Sequence, residues 1–166
     1  MSRKILVAAA ALMLSAPMAF AQDTDTAMAD AAMLAPTGDI AAGEAAFRQC
    51  IACHVVVNEA GDTLAGRNAR TGPNLYGIAG GVYGDIEDFR WSPGMQALNE
   101  MGDIMTEESF VAYVQDPTGY IRETTGDNSI RGAMTYQVRS EDDAVNLYAY
   151  LYSLAPPAEG AEAVSN

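Results

Sequence analysis

Cys50-Ile51-Ala52-Cys53-His54 is the stretch on which the reading of the chain turns. Two thiols three positions apart fall on one side of a helical turn, where they can add to the two vinyl groups of a haem. The adjacent imidazole is then placed to ligate the iron. Rival readings fail on composition or context. A thioredoxin-like thiol pair needs a strand leading in and a βαβ pattern, and neither surrounds residues 40–60. A zinc site needs four ligands; Cys50, Cys53 and His54 are the only cysteines and histidine of the chain, so carboxylates would have to complete it. A disulfide across two intervening residues leaves His54 unexplained. The motif therefore predicts one haem c, held covalently through Cys50 and Cys53, with His54 as an axial ligand.

Toward the N-terminus, residues 1–21 read as an export signal. Arg3 and Lys4 precede the apolar run Ile5 to Phe20, and Ala19-Phe20-Ala21 gives the small-x-small cleavage pattern before Gln22. The run contains Pro17 and falls short of the about 20 residues of a membrane span, which weighs against the alternative of an uncleaved anchor. Export agrees with the haem motif, and the bacterial periplasm is the expected location. Residues 22–38, rich in Ala, Asp, Thr and Met without apolar periodicity, read as a flexible acidic leader. Residues 156–166, opening on Pro156-Pro157, read as a similar tail. Residues 39–155 are then a single domain with a modest core, to which a buried haem would add much.

Loss of Arg3 and Lys4 with the signal takes the formal charge from −13 to −15, with no lysine left. Nucleic acid is excluded as a partner by that balance. Such acidity serves solubility or a salty environment in one reading. In another, local patches dock a partner, with Arg67, Arg70, Arg131 and Arg139 standing out on the acidic background.

Helices dominate the pattern and no strand pair is evident. Asp39 caps a helix in which Ile40, Gly43, Phe47 and Cys50 recur, carrying the chain into the haem motif. A second helix starts at Ser92 with Pro93 in its first position and runs toward Gly102. A third starts at Thr106, with Glu107 and Glu108 in its first turn, and is stopped by Pro117. In the last, Ser140 is the cap, Glu141, Asp142 and Asp143 complement the helix dipole, and Ala144, Leu147, Tyr148, Leu151 and Leu154 form the apolar stripe.

The iron needs a sixth ligand or an open position. With one histidine in the chain and its one lysine in the signal, bis-histidine and lysine ligation are excluded, and methionine remains. Met28 and Met33 lie in the leader, and Met95 and Met101 sit at helical spacing among apolar residues, where they read as core. Met134 differs, lying in Arg131-Gly132-Ala133-Met134-Thr135-Tyr136, a glycine-containing loop before the last helix.

These segments together resemble the class I c-type cytochromes, and within them the cytochrome c2 proteins of purple and related bacteria. The matching stretches are Gly38-Asp39-Ile40-Ala41-Ala42-Gly43-Glu44 with Phe47, the haem motif, Arg67 to Gly77, Tyr113-Val114-Gln115-Asp116-Pro117, and Met134-Thr135-Tyr136. The resemblance implies an all-α class I cytochrome c fold around one haem, with Gly43 and Phe47 of the first helix facing Leu147 and Tyr150 of the last. It further implies His54 and Met134 as axial ligands, Cys50 and Cys53 as thioether links, and the Pro73 carbonyl as acceptor for the free ring nitrogen of His54.

The chain departs from this family in several places. Met105 stands where the family has a tryptophan donating to a haem propionate. In Phe89-Arg90-Trp91 an indole N–H stands in for the family's phenol O–H, making Trp91 a cofactor-binding residue by that comparison. Gln137 and Ser140 occupy positions where the family has lysines, while Arg70, Arg131 and Arg139 remain basic.

An iron held on both sides exchanges electrons and does not bind substrates. Thioether sulfur favours the ferrous state and raises the potential, and burial disfavours the extra charge of the ferric state. The resemblance implies a soluble, monomeric periplasmic carrier and not an enzyme. It would take single electrons from a quinol-oxidising cytochrome bc1-type complex to a terminal oxidase or photosynthetic reaction centre, meeting these membrane redox complexes through a small, transient interface at the exposed haem edge. A peroxidase-like enzyme would need an open iron position and a distal acid/base group, against which the lack of a second histidine counts. A tethered cytochrome serving a fixed partner is the other alternative.

Overall fold

Asp39 opens the first helix. Its carboxylate accepts a hydrogen bond from the Ala42 backbone N–H at 2.7 Å, satisfying one of the donors that a helix start leaves unpaired, and α1 runs from there over Ile40–Phe47. The computed structural model describes residues 35–156, so the export signal, the leader up to residue 34 and the tail from residue 157 lie outside the described residues. The helix is shorter than the sequence periodicity implies. After Phe47 the Cys50 N–H reaches only to the Phe47 carbonyl (2.8 Å), an i to i−3 bond that tightens the turn and ends α1 before the haem motif.

The expectation of no strand pair is corrected by the structure. Val56–Val57 (β1) and Thr63–Ala65 (β2) form an antiparallel pair, Val56 opposite Ala65 and Val57 opposite Thr63. Strands of two and three residues are too short to show an alternation in sequence. Helix α2 spans Pro93–Met101, with the Ser92 hydroxyl accepting from the Met95 N–H and Gly102 ending it at φ 72°. Helix α3 spans Glu107–Gln115 behind a Thr106–Ser109 capping box. Pro117, which reads as a stop, is also a start: α4 occupies Pro117–Thr125, a helix that the sequence pattern did not reveal. Asp116 joins the two, its N–H donating to Ala112 (3.2 Å) while its carboxylate accepts from Gly119 (3.0 Å). Proline in the first helical position forfeits no hydrogen bond, so one residue ends one helix and begins the next. Ser140 caps α5, Glu141–Leu154, as its sequence indicates.

Helices α1 and α5 make the most extensive packing of any pair of elements. A side chain at Gly43 would run into the Asn146 backbone and come within 2.7 Å of Tyr150 Cβ, so the close crossing depends on glycine. Phe47 packs on Tyr150 with ring centroids 5.6 Å apart, and Phe110 on Tyr148 at the same distance. Tyr83, fully buried, lies 5.8 Å from Tyr113 and 5.7 Å from Tyr120, with its hydroxyl donating to Ser109 Oγ at 3.1 Å. Burial pushes the Tyr113 phenol up to about 12. Met95 belongs to this core as expected, but Met101 does not: it is 53% exposed at the end of α2. No helix among the described residues is long and apolar enough to cross a membrane.

Candidate haem site

The Cys50 carbonyl gathers the motif into one turn, accepting from the Cys53 N–H at 3.0 Å and the His54 N–H at 2.9 Å. Cys53 is exposed and Cys50 half-buried. Burial, and secondarily the neighbouring Cys53, pushes the Cys50 thiol up to about 11, so it is protonated at neutral pH.

His54 is fixed by the segment beyond β2. Its Nδ1 lies 3.0 Å from the Pro73 carbonyl, and since a carbonyl only accepts, Nδ1 carries the proton and donates. Burial lowers the His54 pKa, partly offset by that hydrogen bond, so the ring is neutral at neutral pH and its Nε2 lone pair is free for a metal. The carbonyl is held in place by its neighbours. Asn74 accepts from the Val57 N–H and donates to the Val57 carbonyl, both at 2.8 Å, while the Gly72 N–H donates to the Cys53 carbonyl at 2.7 Å and the Leu75 N–H to Val55 at 2.8 Å. Gly72 lies flat on the imidazole; a Cβ there would come within 2.6 Å of Nδ1 and 2.8 Å of Nε2. The block Thr71-Gly72-Pro73-Asn74-Leu75 thus acts as a rigid backstop to one ring.

A cavity of about 450 Å³ opens beside this turn, within the range of cofactor clefts. Leu75, Ile78, Phe110, Leu147 and Leu151 are among its walls, and Cys50, Cys53, His54, Pro73, Trp91 and Met134 all line it. Its lining is mainly apolar, so without an occupant these walls would face water. Two thiols, an imidazole with a free nitrogen and apolar walls fit a covalently attached haem. Among the described residues, no set of three His, Cys, Asp or Glu side chains offers another metal site.

Met134 is half-buried on the loop between α4 and α5. Met95 and Met105 also line the cavity, both buried, the first on α2 and the second tied by backbone hydrogen bonds to Gly80 and Gly81. The Trp91 indole N–H donates to the Ile86 carbonyl at 3.3 Å, with the ring edge-on to Phe89. Among the described residues no arginine or lysine lines the cavity, and Asp85 is its charged wall residue. Arg67, Arg70, Arg131 and Arg139 are distributed outside it. The sequence pattern marks the block around Pro73 and the stretch Met134-Thr135-Tyr136, but not what Gly72 and Asn74 do in the first, nor that Tyr136 of the second forms a hydrogen bond with Gln49 across 87 residues. A capping signal is local; these contacts leave none.

No protein-family model matches the chain. Among curated proteins, cytochrome c2 of Rhodovulum adriaticum is 61% identical over 118 residues, covering 71% of this chain and 94% of that protein. The structure of cytochrome c2 from Rhodobacter sphaeroides superposes with a TM-score of 0.70 at 49% identity, over 71% of this chain and 97% of that one. That of cytochrome c2 from Paracoccus denitrificans does so with a TM-score of 0.68 at 30% identity, over 73% and 99%. Sequence, helical architecture and a cavity built around Cys50, Cys53 and His54 agree, and the chain belongs to the cytochrome c2 family, whose members carry electrons and are not enzymes.

Proposed function

We propose that the protein shuttles single electrons in the bacterial periplasm, from a cytochrome bc1-type quinol-oxidising complex to a terminal oxidase or photosynthetic reaction centre. Its haem c would be anchored by Cys50 and Cys53 and ligated by His54 and Met134. The observation that supports this most is the convergence of these residues, from positions 50 to 134, on one apolar cavity. When bound, the haem supplies reversible one-electron chemistry at its iron. The chain's part is to hold and shield it. Pro73 orients His54 and raises its basicity. The apolar walls exclude water, and a coordination shell that keeps both ligands in both redox states needs little rearrangement. Trp91 packs against the same cavity as part of its cofactor-binding wall. Docking would use arginines outside the cavity, Arg70 and Arg131 among them, on a molecule that is otherwise acidic.

The optical spectrum tests the ligand set. Oxidised wild-type protein is expected to show the weak near-infrared band of sulfur-to-ferric-iron charge transfer, and Met134→Ala to lose it, with a fall in reduction potential on the order of 100 mV or more. A variant that keeps the band removes Met134 from the iron and turns attention to Met95 and Met105, which also line the cavity, whereas a wild-type spectrum without the band excludes methionine ligation altogether and raises the reading of an open, enzyme-like iron site. Export is tested separately. Mass spectrometry of protein recovered from a periplasmic fraction should find Gln22 at its N-terminus, and an intact Met1 or a strictly membrane-bound product would count for an anchored form.

A further inference from the structure

The loop that carries Met134 lines the cavity; its first half packs closely, Gly132 on Ile121 and the Arg131 carbonyl on Gly94, but few hydrogen bonds hold it. From residue 127 to residue 137, among the described residues, no backbone N–H or C=O pairs with backbone elsewhere; the first such bond after that stretch is from the Val138 N–H to the Val114 carbonyl at 2.8 Å. Ala133, Thr135, Tyr136 and Gln137 are all part of this stretch, and Tyr136 and Gln137 are exposed. On its near side the loop is steadied by the Arg122 Nε–H donating to Ile130 (3.1 Å), and on its far side by a long Gln137 to Asp116 contact of 3.5 Å. Across the mouth itself, among the described residues, runs one side-chain hydrogen bond. The Tyr136 hydroxyl donates to Gln49 Oε1, joining the residue two after Met134 to the residue just before Cys50, and both partners line the cavity.

We infer that Gln49 and Tyr136 are positioning residues that latch the Met134 loop over the cavity mouth and so set how readily the sulfur leaves the iron. Tyr136 is 44% exposed, so the bond is not required for burial of its ring and its breaking leaves no buried polar group unpaired. The latch therefore acts on the local opening of one loop and not on global stability. Any small molecule that takes the sixth position must wait for that opening, so its apparent affinity scales with the open fraction. The inference rests on Met134 being the second axial ligand.

The test is a titration of the ferric holoprotein with imidazole, following the charge-transfer band. A net hydrogen bond changes an equilibrium by roughly three- to tenfold, so Tyr136→Phe should bind imidazole tighter by about that factor. Gln49→Leu should do the same, and the double variant should gain no more than either alone. Gln49→Glu, which keeps an acceptor oxygen, should restore the wild-type affinity, with all four variants melting within a few degrees of wild type. Unchanged imidazole affinity in Tyr136→Phe, or additive effects in the double variant, would overturn the latch while leaving Met134 on the iron. A wild-type protein that lacks the band overturns the ligand assignment and the latch with it.

Discussion

Gly72→Ala is expected to dislodge His54 from the haem iron that we propose it ligates. The added methyl would lie 2.6 Å from Nδ1 and 2.8 Å from Nε2, well inside contact distance, and the ring cannot yield toward Pro73 because its Nδ1 is already 3.0 Å from that carbonyl. It must rotate or tilt, and either motion breaks the hydrogen bond and swings Nε2 away. Overpacking costs about 1–3 kcal/mol and the lost bond about 1 kcal/mol more. At roughly 3–6 °C per kcal/mol for a domain of this size, the melting midpoint of the holoprotein should fall by on the order of 10 °C. The ferric spectrum should change at the same time, from low-spin to that of an iron without its histidine. A variant that keeps both midpoint and spectrum would mean that the ring is not wedged against residue 72.

Gly43→Val should cost as much in stability through a different contact. Intrinsic helix preference alone predicts a gain of a few tenths of a kcal/mol, since valine is a better helix residue than glycine. Packing reverses that sign. The new Cβ would lie 2.6 Å from the Asn146 carbonyl carbon and 2.7 Å from Tyr150 Cβ, and valine adds two methyl groups beyond it. Helices α1 and α5 must move apart, weakening the Phe47–Tyr150 pair and the hydrogen bond from the Asp39 N–H to Asn146 Oδ1 at 2.7 Å. A loss of about 3 kcal/mol is expected, at the upper end for an overpacked site, read as a lower urea midpoint with an unchanged slope. An unaltered midpoint would show that the helices do not cross as closely as the structure has them.

The features legible in the sequence are local ones. Asp39, Ser92, Thr106 and Ser140 announce helix starts because a short polar side chain and the amide it caps lie within three residues of each other. The haem motif is legible for the same reason, as its chemistry is contained in five consecutive residues. Helix α4 escaped because Pro117 carries two meanings, terminator of α3 and favoured first residue of the next helix, and only Asp116 tips the balance. The end of α1 escaped because apolar spacing continues through Cys50 although its hydrogen bonds do not. Gly72 against His54 and Tyr136 against Gln49 involve residues 18 and 87 positions apart, where no periodicity speaks.

The crossing of α1 with α5 has a consequence for the order in which the molecule comes together. Its partners lie at opposite ends of the domain, so forming it closes a loop of about 100 residues, an entropic cost of roughly 4 kcal/mol beyond that of fixing the contact itself. Leu147 and Leu151, which wall the cavity, arrive with α5, whereas Cys50 and Cys53 are synthesised about 100 residues earlier, beside α1. The attachment points thus exist before the pocket does. The covalent link proposed at residues 50 and 53 would keep a large apolar group tethered to an unfinished chain, which no set of non-covalent contacts from a half-built cavity could do, and folding could then close around a nucleus already in place.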